Sequence, residues 1–190
     1  MKSYFLKLFF ILILLSTQKL FAIDFTKRYD DYFRKYSKRY FGVGFDWQVF
    51  KAQSIAESGL NPEAKSGVGA IGLMQLMPST FKDVQSANPA FNNIDDPKWN
   101  IAAGISYDKQ LWQQWDDDRD FDDHLSFLFG SYNAGLGTIR TAEKIATKKN
   151  LDSKQWKHIE EIAPSVPKWR HEETLNYVKR IKEYHEVLKK

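Results

Sequence analysis

The sequence predicts an all-α fold built as one domain. Apolar residues recur at intervals of three and four in the longer segments. No segment alternates apolar and polar residues over the length of a strand, and helix-starting and helix-stopping residues punctuate the chain between the periodic stretches. The 190 residues, 43% hydrophobic and 15% aromatic, suffice for one core, with no internal repeat and no linker that would separate two domains.

The first 22 residues read as an address. A basic start (Lys2), an apolar run from Tyr4 to Leu15 and a polar stretch ending Leu20-Phe21-Ala22 have the layout of a secretory signal peptide cleaved after Ala22. Lys7 interrupts the run, which falls short of the about 20 apolar residues that span a bilayer, so no stable membrane anchor is expected after processing. The mature domain would be residues 23–190, with 23–44 an N-terminal helix packed on it.

Each element has a local cause. Asp24–Tyr40 places Phe25, Tyr29, Tyr32, Phe33, Tyr36 and Tyr40 at helical spacing, with basic residues on the other faces. Asp46 is an N-cap for a helix to Ser58, which Gly59 stops and Asn61-Pro62 prevents from continuing. Three glycines within 67–72 make that stretch a loop, and Pro78 opens a short helix. Asp96-Pro97 starts a longer one to Trp115, burying Ile101, Ile105, Trp112 and Trp115. Asp122–Tyr132, Leu136–Lys148, Ser153–Ile162 and Glu172–Leu188 complete the set.

Composition excludes several chemistries. With no cysteine, disulfides, Cys-ligated zinc, iron–sulfur clusters and thiol nucleophiles are out. The net charge of +4 owes three positive charges to Lys2, Lys7 and Lys19; without them 25 basic residues face 24 acidic ones, which gives no reason to expect nucleic acid. His171-Glu172 begins like a zinc-protease helix, but Leu175 stands where the second His belongs. Asp116–Asp120 lacks the Gly and terminal Glu of a calcium loop, the glycines of 67–72 lack the Lys-Ser/Thr of a phosphate loop, and no Ser sits in a nucleophile elbow. Glu57 remains, at a helix end among Ile55, Ala56, Gly59 and Leu60. Burial there would raise its pKa toward about 6 and let it hold a proton near neutrality. A lone Glu at a helix end is more often simply exposed.

The surrounding text alters that balance. Glu57-Ser58-Gly59-Leu60-Asn61-Pro62 is followed by Ser66-Gly67-Val68-Gly69-Ala70-Ile71-Gly72-Leu73-Met74-Gln75-Leu76-Met77-Pro78, then by Ser131-Tyr132-Asn133-Ala134-Gly135, and finally by Glu173-Thr174-Leu175-Asn176-Tyr177-Val178. In order and spacing these resemble the four motifs of the soluble-type lytic transglycosylases, lysozyme-like enzymes that cut peptidoglycan. Asp96-Pro97, Asn100-Ile101 and Gly104 are similar to that family's central helix. The resemblance covers residues 45–185 and implies a single lysozyme-like domain with a long groove-forming loop after the catalytic helix. It makes Glu57 the one catalytic acid/base. It places Ser66, Gln75 and Met77 along the sugar groove, Tyr132 facing the carboxyl with Asn133 supporting its turn, and Glu173 and Tyr177 closing the groove from the last helix. Ser131 stands where Ala is commoner, and Leu175 where Arg is frequent.

Each of these residues also has a structural reading. Gln75 could satisfy loop backbone groups, Met77, Tyr132 and Tyr177 could be core, and Glu173 could be a first-turn acid. The resemblance implies cleavage of the β-1,4 bond between N-acetylmuramic acid and N-acetylglucosamine without water, giving 1,6-anhydro ends, with no metal and no cofactor. It also implies an exported, periplasmic enzyme whose partners are peptidoglycan glycan strands, with an envelope machine an open possibility. Two alternatives stand beside it. One is a hydrolytic muramidase of the same fold, with Asp83, Asp95 or Asp96 as second carboxylate. The other is a peptidoglycan-binding assembly protein without catalysis.

Overall fold

The structure, a computed structural model, describes residues 27–115 and 118–190. The expected signal peptide (1–22), the start of the first helix at Asp24, and Asp116–Asp117 lie outside the described residues. Two compact units divide the chain, 1–31 and 32–190. Of the first, only residues 27–31 are described; the second contains the site.

The architecture is all-α, with helices α1 (Asp30–Phe41), α2 (Gln48–Ser58), α3 (Pro78–Ala87), α4 (Pro97–Gln113), α5 (Phe121–Ala134), α6 (Leu136–Lys148), α7 (Trp156–Ile162) and α8 (His171–Leu188), and a 3-10 turn at Ala163–Ser165. The described residues contain no strand, only isolated bridges pairing Lys65 with Ile71 and Ile71 with Leu76. None of their helices is long and apolar enough to cross a membrane.

Most boundaries fall where the caps put them. Helix α1 begins at Asp30, and the expected continuous helix is interrupted just before it, because Tyr29 takes a left-handed conformation (φ 67) that cannot continue a helix. Its Phe33 and Tyr36 are buried as expected. Helix α2 begins two residues after Asp46, whose Oδ1 still accepts from the Gln48 amide at 3.0 Å. Gly59 ends it at φ 65, its N–H donating to Ile55 O. Asp96 caps α4 with Pro97 in the first turn. Helix α4 stops at Gln113, short of the expected Trp115, though Trp115 is buried beyond its end. Trp112 is not in the core: it is partly exposed and stacks on His124 with ring centroids 3.6 Å apart.

Helix α2 packs along α8, and α5 lies at the centre, against α4, α6, α7 and α8. Close approach needs small residues. A Cβ on Gly130 of α5 would stand 2.4 Å from the Trp156 ring, and one on Gly104 of α4 would stand 2.7 Å from Met74. Arg119, between the Trp115 and Phe127 rings, pairs with Glu143 and ties the approach to α5 to α6.

Candidate active site

The site is assembled around the long loop 59–77, which three helices pin. From α2, the hydroxyls of Ser54 and Ser58 both donate to Leu73 O at 2.9 Å. From α4, the buried Asn100 accepts from the Met74 amide (2.8 Å) and donates to Ile71 O and Ile94 O (both 2.9 Å). From α5, Tyr132 donates its hydroxyl to Met74 O at 2.7 Å. Gly72 makes the Asn100 contact possible: it sits at φ 76, and a Cβ there would lie 2.5 Å from Asn100 Nδ2. These side-chain partners from three directions satisfy the loop's inner backbone groups and fix its path.

Glu57 occupies the last turn of α2, against the face where α8 packs. Its Oε1 accepts from the Tyr177 hydroxyl of α8 at 2.5 Å. Burial pushes the carboxyl up to about 7 from an ordinary 4.5. The Tyr177 bond and the Arg180 guanidinium pull it down less than burial raises it, and the charge of Glu173 adds to the rise. Arg180 also donates to Ala56 O at 3.0 Å, so its position beside the helix end is fixed. A carboxyl with such a pKa holds its proton for part of the time at neutrality and can release it there, as a group alternating between acid and base must.

The residues singled out from the sequence are placed as follows. Tyr177 touches Glu57 directly. Tyr132, expected to face the carboxyl, lies close enough for the Glu57 charge to raise its pKa, but its hydrogen bond goes to the Met74 carbonyl. Asn133 joins helices rather than its own turn: its Oδ1 accepts from Thr174 Oγ1 at 2.8 Å, and Thr174 in turn accepts from the Trp169 indole at 3.0 Å. Gln75 takes a left-handed φ of 44, and its amide nitrogen donates to Ala64 O and Gly72 O, the loop-satisfying role. Ser66 Oγ accepts from the Ala70 amide at 2.9 Å and shapes the same loop. Met77 is 39% exposed at the loop's end, an apolar surface for a ligand face. Glu173 is exposed, paired with Arg170 at 3.0 Å, and lines a cavity of about 230 Å³ together with Asn133, Trp169 and Thr174.

Sequence reasoning missed Arg180 and a second buried carboxyl, Asp108. Each carried a signal. Arg180 follows Tyr177 by three residues and so shares its helix face. Asp108 continues the buried row Asn100, Gly104 at intervals of four, where an acid is out of place. Among the described residues no group of His, Asp and Glu is arranged to hold a metal ion.

The chain belongs to the transglycosylase SLT domain family, whose domain matches residues 31–156. Among curated proteins it is 32% identical over 157 residues to the membrane-bound lytic murein transglycosylase F of Desulfosudis oleivorans, covering 77% of this chain and 34% of that one. Among solved structures it resembles the 70 kDa soluble lytic transglycosylase Slt70 of Escherichia coli, with a TM-score of 0.64 and 31% identity over 84% of this chain and 24% of that one. A lytic transglycosylase Slt of Pseudomonas aeruginosa, solved as an inactive glutamate-to-glutamine mutant, gives a TM-score of 0.64 at 25% identity, covering 85% of this chain and 24% of that one. The chain spans about a third of the length of the curated relatives it matches.

Proposed function

We propose that this chain is a peptidoglycan lytic transglycosylase of the bacterial envelope, exported to the periplasm, in which Glu57 acts first as acid and then as base. The observation that carries the reading is the Glu57 carboxyl at the junction of α2, α8 and the pinned loop, with its pKa near 7 and its orientation set by Tyr177. Glu57 donates its proton to the glycosidic oxygen between N-acetylmuramic acid and N-acetylglucosamine, and the bond to the muramyl anomeric carbon breaks. The substrate's acetamide stabilises the cationic centre. The carboxylate then takes the proton of the muramyl 6-hydroxyl as that oxygen attacks the anomeric carbon, closing the 1,6-anhydro ring. The attacking hydroxyl is tethered to the same sugar, so its effective concentration is high without a bound water.

The placement of the three acids weighed as a second carboxylate supports a one-carboxylate mechanism over a two-carboxylate hydrolase. Asp83 and Asp95 are exposed, and Asp96 caps α4. Ser66, Gln75, Met77, Tyr132, Asn133 and Glu173 then shape and line the glycan path on either side of Glu57. The names of the curated relatives, lytic murein transglycosylases, and of the structural neighbours, lytic transglycosylases, support the substrate class. Mass spectrometry of muropeptides released from isolated sacculi tests the reading. Anhydro ends from the wild-type chain and none from Glu57→Gln are expected. Reducing ends would make it a muramidase, and wall binding with no soluble product would make it a binding protein.

A further inference from the structure

Asp108, on α4, is completely buried, and its one hydrogen bond is accepted by Oδ1 from Gln53 Nε2 at 3.1 Å. Two oxygens of this pair have no partner: Oδ2 of Asp108 and Oε1 of Gln53. Both are acceptors if Asp108 is ionised, and two stranded acceptors with a buried charge are a poor arrangement. One added proton satisfies both. A carboxylic acid facing a carboxamide forms two hydrogen bonds in a ring, Nε2–H to Oδ1 and Oδ2–H to Oε1.

We propose that Asp108 is a permanently neutral acid whose Oδ2–H donates to Gln53 Oε1, and that this acid–amide pair is a positioning element for Glu57. Gln53 lies one helical turn before Glu57 on α2, so a two-point clamp between α2 and α4 fixes the turn that aims the catalytic carboxyl. The groups around Asp108 favour the neutral form. Glu57 acts on it from α2, and Asp108 would in turn act on Tyr107 of its own helix, Tyr132 of α5 and Tyr177 of α8, whose only available charge is negative. The charges of α3, Lys82 and Asp83, are exposed. Burial is the main cause that holds the Asp108 carboxyl well above the ordinary range; the Gln53 bond lowers it less, and the Glu57 charge adds to the rise. A neutral Asp108 thus lets Glu57 cycle between acid and base without a second charge beneath it.

The positioning role rests on the reading of Glu57 as the acid; the protonation state does not, and the experiment separates them. Infrared spectra of the Glu57→Gln protein should show a protonated carboxylic acid band that persists from about pH 5 to pH 8, well above the ordinary Asp value. The band should shift on carboxyl-¹³C aspartate labelling and vanish in Glu57→Gln/Asp108→Asn. Its absence would mean an ionised Asp108, with a water donating to both oxygens, and would overturn the proposal whatever the enzyme does. Asp108→Leu should lower kcat about a hundredfold by misplacing Glu57, with KM little changed, and Asp108→Asn, which preserves both ring bonds, should restore it. The Glu57 pKa in Asp108→Asn should stay within about half a unit of wild type. A larger fall in that pKa, or equal losses in the Leu and Asn variants, would contradict the pairing. Failure of the wild-type chain to release anhydro muropeptides, with the band present, would sink the catalytic reading alone.

Discussion

At Glu57 two opposing effects meet, and burial is the larger. The Tyr177 hydroxyl stabilises the ionised carboxylate, so Tyr177→Phe removes a lowering influence. It should raise the Glu57 pKa above 7 by about one unit and reduce kcat roughly tenfold through lost orientation. NMR titration and initial rates on the same variant check both. The same shift links to stability. A carboxyl raised from 4.5 to about 7 favours the folded state fully below pH 4.5, and that contribution is lost as pH rises through 7. Glu57→Gln, neutral at every pH, should match wild type in acid and exceed it by about 3 kcal/mol at most above pH 7, as read by urea unfolding at the two pH values.

The loop 59–77 behaves as a part of the helices that pin it, and Asn100 is the pin with the most bonds. Asn100→Ala strands the buried Met74 amide and takes its side-chain partner from the Ile94 carbonyl, while Ile71 O keeps the Leu76 amide, and should cost about 3 kcal/mol together with most of the activity. Gly130→Ala, where α5 meets Trp156 of α7, should cost about 1–3 kcal/mol through its collision with that ring yet leave the Glu57 titration unchanged, which separates packing from site geometry. Helix positions were largely legible in the sequence because caps and stops are local: Asp96, Pro97 and Gly59 act within a few residues. The misses have tertiary causes. The break at Tyr29 depends on a backbone angle that no side-chain period reveals, and Trp112 left the expected core because the His124 ring offers it a stacking partner from another helix.

For the molecule as a whole, the motif order implied that Glu57 and Tyr177 border one groove, 120 residues apart in the chain, which periodicity alone could not do; their direct contact is seen only in the structure. What remained hidden was which tyrosine bonds the carboxyl and what lies beneath it. Tyr132 and Tyr177 are equivalent as residue types, and only the packing of α8 on α2 gives the second one the contact. Because one group starts the reaction as an acid, kcat/KM should fall on the alkaline side with an apparent pKa near 7, and steady-state rates on soluble glycan strands across pH would show that limb. The most direct measurement is a ¹³C NMR titration of the Glu57 side chain in the wild-type chain, assigned by its loss in Glu57→Gln. The account predicts a carboxyl that gives up its proton near pH 7; a titration at the ordinary 4.5 would contradict it.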